Sequence, residues 1–192
     1  MADLHTHSQA SRYASPWRSG YRLRLVLWEY VWPLFCAWTP KPCNPWRLLI
    51  LRRFGATIHG QPFVHQRARI DHPWNLTLHH KACLGDRAHA YCLAEVEIEA
   101  GACVAQEAYL CTGTHNFSTT AWPLQTAPIR IGADAFIGAR AFVLPGITVG
   151  ERAVVGACSV VTRCVAACTV VAGNPAKPLV LSLEAHPGTT AV

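Results

Sequence analysis

Aliphatic residues recur at every sixth position through the second half of the chain. A period of six fits neither an α-helix nor a simple alternating strand, but it is typical of a short strand and a turn repeated along a solenoid. The aliphatic positions are Ile131, Ile137, Val143, Val149, Val155 and Val161, and small residues follow four places later at Ala135, Ala141, Ala153 and Ser159. We predict that three units form one triangular coil, with the aliphatic side chains pointing inward and the coils stacked on one another.

Glycine directly follows four of these aliphatic residues, at Gly132, Gly138, Gly150 and Gly156. Glycine adopts positive φ without steric cost. We therefore expect these glycines to provide the positive φ of each turn.

The same rhythm is looser upstream. Ile58, Leu78 and Ile98 are twenty residues apart, so we expect each early coil to carry a two-residue bulge at one corner. Between Leu110 and Ile131 the rhythm stops, and residues 112–128 are predicted to leave the solenoid as a loop. Long excursions from a regular scaffold commonly carry function.

The region before the solenoid has a helical pattern. Residues 1–20 are polar and lack periodicity, which predicts a mobile tail. Residues 21–55 predict two amphipathic helices, the first from Tyr21 to Trp38 and the second with Asn44 as its cap and Gly55 just past its end. The solenoid domain is predicted over residues 56–181, with a C-terminal tail at 182–192.

Composition narrows the class of protein. Hydrophobic residues make up 51% of the chain and charged residues 15%, which excludes a disordered chain. The net charge of +6 is concentrated in the Trp-rich first third, a pattern that favours an amphipathic segment over a nucleic-acid groove. The apolar run in this first third of the chain is interrupted by Glu29 and Pro33 and is too short to span a bilayer. The helices either cap the open end of the solenoid, which we favour, or lie on the inner face of a membrane.

The nine cysteines are odd in number and contain no C-x-x-C pair. We interpret them as reduced packing residues, as expected in a cytoplasmic protein.

Four segments carry a resemblance to a known family: Pro73 to Leu76, Tyr109 to Asn116, Leu144 to Gly150 and Ala172 to Lys177. From about Trp46 to Leu179 the chain resembles the hexapeptide-repeat acyltransferases, most closely those of colanic-acid biosynthesis, with the galactoside and maltose O-acetyltransferases as relatives. The resemblance implies an all-β fold, a left-handed parallel β-helix with an N-terminal helical segment. It also implies a homotrimer that transfers acetyl groups from acetyl-CoA to a hydroxyl of a sugar, nucleotide sugar or polysaccharide precursor, with active sites between subunits.

His115 closes the T-G-T-H segment, where the resemblance places the catalytic base. A hydroxyl is a weak nucleophile, and an imidazole with a pKa near neutral suits the removal of its proton. Cys111 lies four residues earlier and raises the alternative of an acyl-enzyme. The resemblance favours direct transfer instead.

Contacts with acetyl-CoA are implied on the later coils. The matching positions are Phe136, Ala139, Ala157, Thr162, Arg163 and Lys177. Small residues let pantetheine lie along the prism, and the two cations neutralise phosphates, although corner packing of Phe136 and solvated charges remain alternatives. Tyr91 and Asp86 lie about one coil before His115 and are candidates for acceptor binding, or else surface residues.

Two other functions are compatible with a hexapeptide solenoid. Hexapeptide proteins that resemble γ-type carbonic anhydrases bind zinc, but the residue five places after His115 is Thr120, not a second histidine, so we expect no metal. His59 and His79 share a column, which stacking at the surface explains. The other rival is a non-catalytic trimeric scaffold, against which an intact His115 argues.

Overall fold

The residues with the six-residue period form a parallel β-solenoid in the computed structural model. The structure describes residues 4–8, 17 and 19–179. Two helices precede the solenoid, α1 (Ser19–Phe35) and α2 (Asn44–Arg53), and 3-10 turns occupy Lys41–Cys43 and Pro73–Asn75. The strands, in chain order, are β1 (His5–Thr6), β2 (Thr57–Ile58), β3 (Phe63–Val64), β4 (Arg69–Ile70), β5 (Leu76–Leu78), β6 (Cys83–Leu84), β7 (His89–Tyr91), β8 (Val96–Ile98), β9 (Cys103–Val104), β10 (Tyr109–Cys111), β11 (Gly113–His115), β12 (Leu124–Thr126), β13 (Ile129–Ile131), β14 (Phe136–Ile137), β15 (Phe142–Val143), β16 (Thr148–Val149), β17 (Val154–Val155), β18 (Val160–Val161), β19 (Val170–Ala172) and β20 (Lys177–Pro178).

Three parallel sheets form the faces of the prism. The first face contains β2, β5, β8, β13 and β16, and a bridge from Val149 to Val165 adds a sixth rung. The second face contains β3, β6, β9, β14, β17 and β19, with β20 antiparallel at its end, and the third contains β4, β7, β10, β15 and β18. We call the turns from first to second face the first corner, from second to third the second corner, and from third back to first the third corner.

The predicted aliphatic residues form the core. From Ile131 to Val161 all six are at most 1% exposed, and the small residues Ala135, Ala141, Ala153 and Ser159 are buried to the same degree. Full burial of each aliphatic side chain contributes about 1.5–3 kcal/mol. The prediction of an all-β, parallel solenoid with an N-terminal helical segment is confirmed.

The glycines that follow the aliphatic residues have a different role from the predicted one. Positive φ occurs elsewhere in each corner, for example at Asp134, Arg140 and Arg152, and not at Gly132 or Gly138. A Cβ on Gly138 would instead lie 2.6 Å from the backbone nitrogen of Ala157 in the next coil. The expectation of positive φ at these glycines is therefore wrong, and close stacking of successive coils requires them.

The early coils carry their extra residues at the third corner. Ile58 pairs with Leu78, and Leu78 with Ile98, which is the predicted twenty-residue register. The 3-10 turn Pro73–Asn75 occupies this corner in the first coil. In the third coil the same corner expands into a hairpin of β11 and β12, within the segment predicted to leave the solenoid.

The helices close the open end of the first coil. Arg47 of α2 is fully buried and donates from Nε to the carbonyl oxygen of Val64 at 2.9 Å, and Trp28 of α1 donates from Nε1 to the carbonyl oxygen of Ile70. Asn44 has helical dihedral angles, and its side chain binds the backbone of Pro62 and Val64. The prediction of Asn44 as a helix cap is therefore wrong, because the first coil uses its amide. Gly55 has a φ of +92° just past α2, as its place after the helix predicted.

No helix among the described residues is both long and apolar enough to cross a bilayer.

Candidate active site

His115 is the last residue of β11 and lies on the hairpin that projects from the third corner. Its Nδ1 lies 2.8 Å from the carbonyl oxygen of Trp122, which is on the returning arm of the hairpin. Because a carbonyl oxygen only accepts hydrogen bonds, this contact requires the proton on Nδ1. Nε2 then carries the lone pair. The side chain is exposed, so this lone pair is accessible to a substrate.

A third strand supports the hairpin. β1 pairs with β12 in an antiparallel register, with His5 opposite Thr126 and Thr6 opposite Gln125. The backbone nitrogen of His7 donates to the carbonyl oxygen of Leu124 at 2.9 Å. This strand lies within residues 1–20, the segment predicted to be a mobile tail. Of that segment the structure describes residues 4–8, 17, 19 and 20, and the rest lies outside the described residues.

Two adjoining grooves lie beside the hairpin. The first, which we call the corner groove, has a volume of about 770 Å³ and runs along the third corner. The second, which we call the end groove, has a volume of about 670 Å³ and reaches β20. The corner groove is lined by Leu4, Thr114, Leu144, Pro145, Gly146, Ile147, Thr162, Arg163 and Cys164.

The grooves bring three of the predicted cofactor residues together. Thr162 and Arg163 line both grooves, and Lys177 lines the end groove. The corner groove also contains Thr114, the residue before His115. The hairpin and two cationic side chains therefore border one continuous recess.

The other predicted cofactor residues lie elsewhere on the prism. Ala139 and Ala157 stack at the second corner, where the nitrogen of Cys158 donates to the carbonyl oxygen of Ala139 at 2.8 Å. Phe136 points outward from the second face, between Cys103 and Val154, and is 42% exposed. A single chain does not bring these three to the recess beside the hairpin.

The two acceptor candidates are separated. Tyr91 ends β7 at the base of the hairpin, and its carbonyl oxygen accepts from the hydroxyl of Thr112 at 2.6 Å. Burial raises the pKa of Tyr91, and Asp71 adds to this effect. Asp86 lies at the second corner, in an ion pair with Arg67 at 2.5 Å, and its other carboxylate oxygen lies 3.2 Å from Nδ1 of His65.

The thiol of Cys111 is partly buried and hydrogen-bonded. Its thiol lies 3.2 Å from the carbonyl oxygen of Gly113, to which it donates, and burial raises the pKa of this thiol. A protonated thiol is a weak nucleophile. This geometry argues against Cys111 as the site of an acyl-enzyme.

No group of three or more histidine, cysteine or acidic side chains converges as a metal site within residues 4–8, 17 and 19–179. The rings of His59 and His79 stack with centroids 4.8 Å apart. Glu99, next in that column, accepts hydrogen bonds from Arg130 and from the backbone nitrogen of Ala133. Surface stacking and ion pairing thus account for this column.

Comparison with known proteins identifies the family. Residues 128–163 match the family model described as the hexapeptide repeat of succinyl-transferase. A protein of Escherichia coli (strain K12), named for colanic acid biosynthesis as the acetyltransferase WcaF, is 37% identical over 159 residues, covering 83% of this chain and 87% of the relative. The chain belongs to the hexapeptide-repeat acetyltransferases.

Solved structures share the fold of this acetyltransferase. A maltose O-acetyltransferase from Clostridium difficile 630 superposes with a TM-score of 0.72 at 24% identity, covering 84% of this chain and 88% of that one. A hexapeptide-repeat-containing acetyltransferase from Vibrio cholerae O1 biovar eltor, solved with acetyl coenzyme A, superposes with a TM-score of 0.76 at 19% identity, covering 87% of this chain and 91% of that one.

Two features of the site in this acetyltransferase were not predicted from sequence. The contact of Trp122 with His115 uses a main-chain oxygen, which no side-chain pattern encodes. The strand β1 consists of polar residues with no apolar alternation, so no periodicity signals it.

Proposed function

We propose that this acetyltransferase moves the acetyl group of acetyl-CoA directly to a hydroxyl of a sugar, nucleotide sugar or polysaccharide precursor, with His115 as general base. The observation that carries the proposal is the hydrogen bond between His115 Nδ1 and the Trp122 carbonyl oxygen, 2.8 Å long. It keeps the proton of the neutral imidazole on Nδ1 and leaves the Nε2 lone pair, which a base requires, free to accept a proton. The likeness to enzymes named as a colanic acid and a maltose acetyltransferase supports a saccharide acceptor.

In the proposed reaction, Nε2 of His115 takes the hydroxyl proton as the hydroxyl oxygen bonds to the thioester carbonyl carbon. The resulting tetrahedral oxyanion needs a hydrogen-bond donor, for which a backbone N–H of a neighbouring coil is suited. When the carbon–sulfur bond breaks, the proton passes from the imidazolium to the thiolate. The products are the acetyl ester and free CoA.

The cofactor is proposed to lie along the corner and end grooves. Arg163 and Lys177 are both exposed cations there, and their charges complement the phosphates of a nucleotide. The structure of the Vibrio cholerae relative with acetyl coenzyme A supports the choice of this co-substrate.

The division of the candidate residues supports an active site between copies of the chain. Thr162 and Arg163 lie at the third corner, beside the hairpin, whereas Asp86, Ala139 and Ala157 lie at the second. If the third corner of one copy faces the second corner of the next, both sets border one active site. We therefore propose a trimer, and a monomer in sedimentation at working concentration would contradict it.

The experiment that tests the activity measures thiol release from acetyl-CoA across a panel of sugars and nucleotide sugars. Removal of a general base typically lowers the rate by about 10²–10⁴-fold, so His115→Ala is expected to lose kcat by that amount. His59→Ala is the matched control, since His59 is an exposed histidine away from the hairpin. Equal rates for the wild type and His115→Ala would overturn the proposal and favour a scaffold.

A further inference from the structure

The helices that cap the solenoid expose an apolar surface on their other side. In α1, Leu23, Leu27, Tyr30 and Leu34 follow the i, i+4, i+7, i+11 spacing of one helix face, and all four are exposed. Trp28 and Trp32, on the opposite face, are buried against the first coil. Nine of the thirteen large hydrophobic side chains that are exposed among the described residues fall within residues 23–49. Capping therefore uses one face of α1 and leaves the other without a partner in this chain.

This surface continues from α1 onto α2. Trp46 of α2 donates from its indole Nε1 to the carbonyl oxygen of Phe35 at 2.9 Å, and Trp38 donates to the carbonyl oxygen of Leu34 at 2.7 Å. These two bonds hold the indole rings beside the end of α1. We call the combined surface the outer patch, formed by Leu23, Val26, Leu27, Tyr30, Leu34, Phe35, Trp38, Trp46 and Leu49.

The charges around the outer patch are predominantly positive. Arg22, Lys41, Arg52 and Arg53 are exposed on the same two helices and the turn between them. Glu29 is the single acidic residue of residues 19–55. Apolar and aromatic side chains fringed by cations are the features of a helix that lies in the interface of an anionic bilayer.

We propose that the outer patch docks this protein on the surface of an anionic lipid bilayer. The apolar side chains enter the boundary between headgroups and acyl chains, the indole and phenol rings lie at headgroup depth, and the cations pair with lipid phosphates. A second copy of the chain is disfavoured as the occupant, because face-to-face contact of two patches places Arg22, Lys41, Arg52 and Arg53 near cations of the same sign. Capping the solenoid and contacting a membrane are therefore compatible, because one face of α1 packs on the first coil and the opposite face belongs to the outer patch.

The experiment is flotation of the full-length protein with vesicles of phosphatidylcholine alone and of phosphatidylcholine mixed with phosphatidylglycerol. The protein is expected to float with the anionic vesicles, and high salt is expected to reduce the bound fraction because part of the attraction is electrostatic. The combined variant Leu27→Ser, Tyr30→Ser, Leu34→Ser is expected to lower the partition coefficient by more than about tenfold. The pair Arg52→Ser, Arg53→Ser is expected to lower it by about tenfold or more on anionic vesicles.

Leu179→Ser and Arg152→Ser are matched controls, because both side chains are exposed on the solenoid away from α1 and α2. Both are expected to bind as the wild type does. Failure of the wild type to float, equal binding to the two kinds of vesicle, or unchanged binding of the triple variant would overturn the proposal. Loss of binding together with dissociation of the oligomer in sedimentation would also overturn it, because the outer patch would then be a contact between subunits. Acetyl-CoA turnover with a soluble acceptor is measured in parallel, and retention of that activity by the triple variant shows that it folds.

Discussion

The Nδ1 atom of His115 lies 2.8 Å from the carbonyl oxygen of Trp122, so a main-chain group on one arm of the hairpin orients a side chain on the other. His115 also pairs with Leu124 across the same hairpin. Strand pairing therefore fixes the backbone of His115, and the hydrogen bond at Nδ1 fixes its ring. A base held in this way has less rotamer entropy to lose when a substrate binds.

This contact predicts the tautomer of His115. In the neutral imidazole the proton is expected on Nδ1 and absent from Nε2, since the carbonyl oxygen only accepts. Long-range proton–nitrogen correlation spectra distinguish the two tautomers, and the spectrum of His115→Ala identifies the relevant signals. A proton on Nε2 would show that the Trp122 contact does not exist in solution.

Removal of the cations that line the end groove is expected to weaken cofactor binding. Arg163→Ala and Lys177→Ala each eliminate a charge proposed to face the phosphates, so the KM for acetyl-CoA is expected to rise about tenfold with little change in kcat. Steady-state kinetics at low salt measure the effect. Arg152→Ala removes an exposed cation away from both grooves and is the control. An unchanged KM in both groove variants would contradict the proposed cofactor position.

Arg47 is expected to be essential for attaching α2 to the solenoid. Its guanidinium is fully buried and donates to Val64, Thr39, Pro40 and Lys41. Arg47→Met removes the donor to the Val64 carbonyl and the Thr39 hydroxyl, while backbone N–H groups still donate to Pro40 and Lys41. We expect it to lower the free energy of unfolding by about 3–5 kcal/mol. Urea denaturation measures this loss. Arg53→Met, at an exposed position of the same helix, is expected to change it by less than about 0.5 kcal/mol.

Gly138 is predicted to tolerate no side chain. The Cβ of Gly138→Ala would lie 2.6 Å from the nitrogen of Ala157 and 2.7 Å from the carbonyl oxygen of Val155. Because both atoms belong to the backbone of the next coil, the coils must separate, and we expect a destabilisation of about 1–3 kcal/mol. Gly20→Ala is the comparison, since nothing lies within 4 Å of a Cβ there. Thermal denaturation is expected to rank Gly138→Ala well below both Gly20→Ala and the wild type.

His72 is expected to make the fold sensitive to acid. Burial lowers the pKa of its imidazole from 6.5 to about 4, an effect that nearby Asp71 opposes. Between these two pH values the unfolded chain binds a proton that the folded chain does not, so stability is complete above pH 6.5 and falls as the pH drops towards 4. The loss attributable to His72 is about 3 kcal/mol.

Urea denaturation between pH 4 and pH 7 measures this dependence, with His72→Phe as the variant that cannot titrate. The variant is expected to show a shallower decline than the wild type. Identical pH dependence of the two proteins would mean that His72 is not buried as a neutral group.

Sequence periodicity predicted much of the fold because each inward position of a solenoid depends on local residues. Ile131 and Ile137 have to be apolar whatever lies above or below them, so their spacing reveals the faces of the prism. The twenty-residue spacing of Ile58, Leu78 and Ile98 likewise predicted that one corner of each early coil is wider, and the structure shows that it is the third. The family resemblance of Tyr109 to Asn116 added His115 as a candidate, and its catalytic role stays a prediction.

What the sequence by itself determined is the identity of the side chains that the coils bury and the point at which the hairpin leaves them. Only the tertiary structure decided how the coils approach one another, which gave Gly138 its actual role, and which backbone oxygen faces His115. It also decided that Thr162 and Lys177 border one recess while Ala139 lies at another corner. These relationships depend on contacts between successive coils and on main-chain atoms, which all residue types share and which therefore leave no pattern along the chain.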